Sequence, residues 1–246
     1  MKPNAPKIMM SLLLFCLLAA CAHKPAAQEL AKSIPEREDR SAISQLAKGD
    51  YDRMADVEMR ENTESLRLLM LKLYKRNPQE LHKSTPDPAE KMVNWVFNGA
   101  AQHHYNFEAL NNLQDTQAIF LAFKPEYSGD RVLAFIVGLH TMLLKAHDGK
   151  TEFYFTDSLD PQHLYNVARN FEIAAWKIGN ARDERGELFL LSNEINAHER
   201  NLSFEREFGK MIGRTDLYAV ALAEKSQRFI SRVVQNLATA LFLPFK

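Results

Sequence analysis

The segment 132–146 constrains the fold more than any other, because it is apolar on nearly every side of a helix. It has only about 15 residues, whereas a helix needs roughly 20 to span a membrane. A short helix without a polar face is stable only when other elements cover it all round. We therefore expect this segment to be a buried helix at the centre of the fold.

Helical signals also dominate the rest of the chain after residue 44. Apolar residues recur at three- and four-residue intervals, and capping residues, glycines and prolines mark the ends of the runs. Asp160 followed by Pro161 is one such start. Helices are predicted within 62–77, 87–99, 116–123, 160–178, 187–199, 204–213 and 215–243.

Strand signals are scarce. Only 151–156 is rich in aromatic and β-branched residues, and it follows a turn-like stretch at 148–150. One short strand cannot form a sheet, so this segment is either extended packing or half of a small hairpin. The prediction is an all-α fold, an irregular helical bundle or an irregular α-solenoid, with at most one short β-hairpin near 151–156.

The first residues carry a targeting pattern. Lys2 and Lys7 precede an apolar run at 8–18, which is too short to span a bilayer and ends in Leu18-Ala19-Ala20-Cys21. The order of basic region, apolar region and Leu-Ala-Ala-Cys resembles the signal peptide and lipobox of bacterial lipoproteins. The resemblance covers about the first 21 residues.

The resemblance implies that residues 1–20 are removed as a signal peptide and that Cys21 receives a diacylglyceryl group. Acyl chains of this kind would anchor the protein to a membrane. Ala22, not aspartate, follows the cysteine, which favours the outer membrane in the sorting pattern that the chain resembles. Residues 21–44 are then a lipidated N-terminus and flexible tether, and 45–246 a single helical periplasmic domain.

Charge and motifs exclude several classes of function. Lys and Arg number 31 and so do Asp and Glu, so no basic surface for nucleic acid is expected. Gly149-Lys150-Thr151 is similar to the end of a phosphate loop, but Leu144 occupies the position of the required earlier glycine. No cofactor is predicted.

Three polar residues before and inside the helix predicted at 160–178 are candidates for acid and base catalysis. Asp157 and Asp160 are close in sequence to His163, and Glu194 is a further candidate acid. The alternative is structural, with Asp160 capping the helix and Asp157 in a turn.

Two histidine and glutamate pairs have the spacing of one helical turn. They are His104 with Glu108 and Glu194 with His198, and two such pairs on facing helices would suit a zinc ion. The alternative is that these histidines lie on the surface or cap helices.

Aromatic residues suggest a possible binding surface. Seven aromatic residues could line a groove that binds a glycan strand or a helix: Trp95, Phe97, Tyr105, Phe107, Phe171, Trp176 and Phe189. Core packing explains them equally well.

The sequence thus predicts a membrane-anchored periplasmic lipoprotein, lipidated at Cys21, whose helical domain binds or scaffolds another envelope protein. Two alternatives remain open. One is a helical enzyme that acts on the cell wall through Asp157, Asp160 or Glu194, and the other is a carrier of a small apolar ligand in a cavity between helices.

Overall fold

A computed structural model describes residues 48–195 and 200–245. The predicted signal peptide, the lipidation site Cys21 and the tether lie outside these described residues, and so does His198. Within them, no helix combines the length and the apolarity that crossing a membrane requires.

The described chain is mostly helical, which confirms the predicted all-α fold. The helices are α1 (Asp50–Arg76), α2 (Pro78–Ser84), α3 (Ala89–Asn98), α4 (Ala100–His103), α5 (Asp115–Ala122), α6 (Arg131–Ala146), α7 (Pro161–Asn180) and α8 (Ser203–Ser226), with a 3₁₀ helix at Glu108–Leu110. A short antiparallel hairpin of β1 (Glu194–Ile195) and β2 (Arg200–Asn201) precedes α8.

Helix α6 is the centre of the bundle, as its apolar sequence predicts. Every residue of α6 is buried except Leu144 and Lys145. Helices α1, α2, α5 and α7 pack against it. Its Phe135 ring lies 5.6 Å from that of Phe123 and 6.3 Å from that of Phe208. Each such apolar side chain contributes about 1.5–3 kcal/mol when it is fully buried.

The first turn of α6 is capped inside the protein. The Asp130 carboxylate accepts a hydrogen bond from the backbone N–H of Leu133 at 2.9 Å. The hydroxyls of Tyr74 and Ser84 donate to its other oxygen, each at 2.7 Å. The guanidinium group of Arg131 donates to carbonyl oxygens of the loop that joins α5 to α6. The backbone N–H of Arg131 donates to Glu80 Oε2 at 2.7 Å, so carboxylates of the protein itself cap this end of α6.

Helices α1 and α8 run antiparallel and share a buried polar cluster. Lys225 lies over the ring of Tyr51 near one end of the pair, and Lys72 lies over Phe204 near the other. Between them, Glu58 Oε1 accepts hydrogen bonds of 2.5 Å from both Asn62 Nδ2 and Thr215 Oγ1. The other Glu58 oxygen lies 3.0 Å from His147 Nε2, just beyond the end of α6.

The helix predicted at 187–199 is wrong. An isolated bridge between Arg182 and Leu188 and then strand β1 occupy the described part of this segment. The Asn77 carboxamide holds the chain extended, because its Nδ2 donates to Leu191 O at 2.9 Å and its Oδ1 accepts from Leu191 N at 2.8 Å.

The helix end predicted at Gly213 is also wrong, because α8 continues through it to Ser226. Thr215, the first residue of the helix predicted at 215–243, lies inside α8, where it is fully buried and bonded to Glu58. The segment 227–243, predicted to be helical, is not: Gln227 has a left-handed backbone with φ 52° and ends α8. Packing against α1 and α7 outweighs the roughly 1 kcal/mol that a mid-helix glycine costs.

The hairpin considered near 151–156 is absent, and the observed hairpin lies between residues 194 and 201. The first alternative for 151–156, extended packing, is what the structure has. Phe153 is buried, and its backbone N–H donates to Asp56 Oδ1 at 3.0 Å. This segment therefore attaches to α1 by packing and one main-chain bond, without a partner strand.

At Gly138, helix α6 packs so closely against α5 that there is no room for a side chain. A Cβ atom there would lie 2.7 Å from the backbone nitrogen of Ile119 and 2.8 Å from the carbonyl oxygen of Asp115. We expect Gly138→Ala to lower the free energy of unfolding by about 1–3 kcal/mol, because the backbone of α5 must shift. Urea unfolding followed by circular dichroism measures it.

Gly213→Ala is the matched control, since a Cβ at Gly213 meets no atom within 4 Å. It should raise the free energy of unfolding by about 0.5–1 kcal/mol through helix propensity alone. Equal effects of the two substitutions would show that the α5–α6 contact is not as close as described.

Candidate functional site

A cavity of about 490 Å³ opens between the chain that leads into α5 and the C-terminal end of α6. Helix α6 contributes the side chains on one wall, and the chain around residues 104–115 forms the other. The lining residues are His104, Tyr105, Gln114, Asp115, Thr141, Leu144, Lys145, Asp148 and Gly149. Most of these residues are polar, but apolar atoms also line the cavity, so it suits a ligand or side chain that carries both polar and apolar groups.

The backbone around this cavity is unusual. His104, Tyr105, Asp115 and Asp148 all line it and have left-handed conformations, with φ between 45° and 57°. A non-glycine residue in this region costs of order 1–3 kcal/mol, and such residues cluster at functional sites. Hydrogen bonds to neighbouring side chains hold this left-handed backbone in place. For example, the Asp115 N–H donates to Thr141 Oγ1 at 2.7 Å.

An ion pair forms part of the cavity wall. Lys145 Nζ donates to Asp115 Oδ2 at 2.8 Å, and about half of the lysine side chain is exposed. The Gln114 carboxamide donates to His104 O at 3.0 Å, which ties the two sides of the loop together. The cavity therefore offers a cation, carboxylates and an amide to solvent within one rigid frame.

A buried histidine lies behind the cavity. The His140 ring centroid is 4.8 Å from that of Tyr105 and 5.2 Å from that of Phe97. Its Nε2 lies 3.2 Å from Thr63 Oγ1, while no partner for its Nδ1 is found in the described chain. Burial lowers the pKa of His140 to about 3, so the ring is neutral.

An aromatic patch, made of Trp95, His103 and Phe107, adjoins the cavity. The Trp95 ring lies 5.3 Å from His103 and 5.1 Å from Phe107, and the last two are 4.6 Å apart. His103 Nδ1 accepts a hydrogen bond from the backbone N–H of Tyr105 at 2.9 Å, which fixes the patch to the cavity wall. Trp95 is 50% exposed although it projects from a regular helix.

The structure brings together only some of the predicted aromatic groove. Trp95, Tyr105 and Phe107 meet at the patch and the cavity, but of these three only Trp95 is exposed, and the burial of Tyr105 and Phe107 matches the core-packing alternative. The others lie elsewhere or beneath: Phe97 is buried against His140, Phe171 is in the core, Phe189 is near Arg131, and Trp176 is half-buried on α7.

The candidate acids near the start of α7 have structural partners. Asp157 accepts hydrogen bonds from Lys150 Nζ at 2.5 Å and from Tyr154 N at 2.8 Å, and the bond from Lys150 lowers the pKa of Asp157. Asp160 caps α7 by accepting from Gln162 N at 2.8 Å. The His163 ring lies 6.0 Å from Phe245. These contacts match the structural alternative.

The structure describes both members of one candidate zinc pair, His104 and Glu108, and their helical spacing is absent. His104 has left-handed backbone just after α4, and Glu108 begins a 3₁₀ helix. Glu194 lies in strand β1, and its carboxylate is 2.6 Å from Arg76 Nη2. Among the described residues, no three potential ligands come together as a metal site would require. Of the candidates that the structure describes, which exclude His198, only His104 lines the cavity.

Comparison with known protein families, with curated proteins and with solved structures gives no significant match for this chain. The site must therefore be interpreted from its own geometry.

Sequence reasoning missed the cavity, because residues from 104–115 and 141–149 meet only in the folded protein. Asp115, Thr141 and Lys145 carry no motif. The one local signal was Asn111-Asn112, since asparagine tolerates left-handed backbone and both residues adopt it.

His140 should make the fold sensitive to acid. Its pKa is about 3 in the folded protein and near 6.5 in the unfolded chain, so the unfolded state binds the extra proton between these values. The contribution of the neutral His140 ring to the free energy of unfolding is fully present above pH 6.5. Below pH 6.5 the free energy of unfolding falls by about 1.4 kcal/mol per pH unit. The free energy of unfolding of His140→Phe should therefore depend less on pH between 6.5 and 4.

His147 provides a control, because its pKa is shifted in the direction opposite to that of His140. Burial by itself lowers the pKa of His147, but the charge of Glu58 and hydrogen bonds outweigh it, so the pKa is raised. Its stabilisation is present below pH 6.5 and is lost as the pH rises through the folded pKa. His147→Gln should change the alkaline side of the profile, and an unchanged acid slope in His140→Phe would contradict the prediction.

Proposed function

We propose that this protein is a membrane-anchored periplasmic lipoprotein, lipidated at Cys21, whose helical domain binds another envelope protein. The anchor follows from the resemblance of residues 1–21 to a lipoprotein signal peptide. The binding role rests on the aromatic patch and the cavity beside it.

The exposure of Trp95 is the observation that carries the binding role. A large aromatic side chain that stays half-exposed on a rigid helix loses little conformational freedom when a partner covers it. Tryptophan is also among the residues that contribute most to protein interfaces. Here the half-buried ring of His103 packs beside it, and the buried ring of Phe107 supports it from beneath.

Polar groups surround the patch in the way that an interface rim requires. Arg67 Nη1 and Nη2 donate to the side chains of Asn98 and Asn94, each at 2.8 Å, on the same helix as Trp95. The cavity lies on the other side, with Lys145 and Asp115 as its ion pair. A partner segment would cover Trp95 and insert a polar side chain into the cavity, an anatomy of apolar centre and polar rim.

The alternative functions have less support from the described residues. The candidate catalytic acids Asp157 and Asp160 are engaged in a turn and a helix cap. The ion pair of Asp115 and Lys145 in the wall of the cavity disfavours a purely apolar ligand.

A photoreactive amino acid at Trp95 tests the binding role in intact cells. We expect a stoichiometric crosslink to one envelope protein, because the side chain lies at the centre of the proposed interface. The same probe at Phe155, which is 75% exposed and outside the patch, is the control and should give no such product. A crosslink of equal yield at both positions, or at neither, would contradict the proposal.

The lipid anchor is tested by substituting the two cysteines in turn. Cys21→Ala should abolish incorporation of labelled palmitate and leave the protein at precursor mass, because the modified thiol is lost. Cys16→Ala is the matched control, since this residue lies within the predicted signal peptide, and should retain both labelling and processing. Gel fluorography and mass spectrometry measure the two outcomes, and labelling that survives Cys21→Ala would overturn the assignment.

A further inference from the structure

The C-terminal segment, residues 227–245, follows α8 without forming a helix or strand of its own and lies along α7. Side-chain amides of α7 hold its main chain. Gln162 Nε2 donates to Ser231 O at 3.2 Å, and Gln162 Oε1 accepts from Ser231 N at 2.7 Å. Asn170 forms the same pair of bonds with Leu243, at 3.0 and 2.6 Å.

Ile230, Phe242 and Phe245 of the segment pack partly against the core, but this attachment leaves other apolar side chains uncovered. Phe229 is 98% exposed, Val234 100% and Leu241 72%, and no large apolar residue of the segment is buried. A cavity of about 270 Å³ separates Val233 and Leu237 from Arg169 on α7. The amide bonds reach only main-chain atoms, so they do not depend on which side chains the segment carries.

The sequence of the segment fits a different conformation. Ile230, Val233, Val234, Leu237 and Leu241 recur at helical intervals and would form one narrow apolar stripe on a helix. Arg228, Arg232 and Gln235 would lie on the opposite face. An extended chain spreads the same residues over both sides, which is how Val234 comes to be in water.

The charge of this end of the chain is one-sided. After Glu224 there is no acidic residue, whereas Lys225, Arg228, Arg232 and Lys246 are all basic. The whole chain has equal numbers of acidic and basic residues, so the bias is local. An apolar stripe opposite a basic face is typical of helices that lie in the interface of an anionic membrane.

We infer that the C-terminal segment is a membrane-binding element, which leaves α7 and folds as an amphipathic helix on an anionic lipid surface. Main-chain hydrogen bonds within the helix replace those to Gln162 and Asn170, and the lipid covers the apolar stripe. This site goes beyond the proposed function, because it uses other residues than the aromatic patch and a lipid surface instead of an envelope protein.

Hydrogen exchange with mass spectrometry of the full chain tests this inference. The protein is compared in solution, with phosphatidylcholine vesicles, and with vesicles of phosphatidylcholine and phosphatidylglycerol. We expect amide exchange in peptides covering 231–243 to slow by about tenfold or more with the anionic vesicles only, since an interfacial helix protects these amides. Because amide exchange is measured in these C-terminal peptides, protection of residues near the N-terminal anchor does not contribute to the result.

Matched substitutions separate the stripe and the charges from other surfaces. Val234→Asp should abolish the protection, whereas Val220→Asp, at a half-exposed position on α8, should retain it. The double variant Arg228→Glu with Arg232→Glu should also lose protection, and Arg206→Glu should not. Val234 is fully exposed, so its substitution does not compromise folding.

Three outcomes would overturn the inference. They are unchanged exchange with anionic vesicles, equal protection by neutral vesicles, and protection that arises only when an envelope protein is added. The vesicles contain no envelope protein, so failure here leaves the proposal for the aromatic patch unaffected, and failure at Trp95 leaves this one unaffected.

Discussion

The burial of α6 on all sides is the constraint on which the rest of the structure depends. Its apolar side chains favour the centre of the bundle, but its polar groups must then find partners inside the protein. Asp130 and Arg131 satisfy the first turn and the preceding loop. At the other end, His147 Nδ1 lies 2.9 Å from Leu143 O, and its Nε2 faces Glu58. Helices α1 and α8 are therefore joined to α6 through a charged group as well as through apolar contacts, and removing one partner would leave an uncompensated buried charge.

The elements that sequence reasoning predicted are those whose signals are local. The apolar content of α6, the cap and proline at Asp160 and Pro161, and the periodicity of α1 and α3 lie within the helices they define. Tertiary packing was needed to see that α8 passes through Gly213, because the buried bond between Thr215 and Glu58 joins residues far apart in sequence.

The two largest errors have one physical cause. Residues 187–199 and 227–243 were both predicted to be helical. Side-chain amides from distant parts of the chain bind the main chain of their described residues in non-helical form. Asn77 binds Leu191, and Gln162 and Asn170 bind Ser231 and Leu243. An amide that donates and accepts at once replaces the hydrogen bonds that a helix would give that residue. The amide side chain lies in another part of the chain and binds only main-chain atoms. The sequence of the bound segment therefore contains no pattern that predicts this interaction.

Only some members of the candidate site were predictable from the sequence, and their arrangement was not. Trp95, His104, Tyr105 and Phe107 stood out by residue type. The one-turn helical spacing considered for His104 and Glu108 is absent, because the helix ends at His103. His104 and Tyr105 both have left-handed backbone, and both line the cavity. The ring of Tyr105 also packs against His140. Because His140 belongs to α6, the rigidity of the core extends to the wall of the cavity.

The aromatic patch and the C-terminal segment share no residue and no hydrogen-bond partner. The patch is built on α3 and the chain before α5, while the segment is held by α7. Substitutions at separate sites without common partners usually have additive effects. Binding of a protein at Trp95 and of lipid at the C-terminal segment would then be independent events, and an anchored molecule could engage both. The two are coupled only if the membrane brings the domain into a fixed orientation, which reduces the freedom that a partner must otherwise restrict on binding.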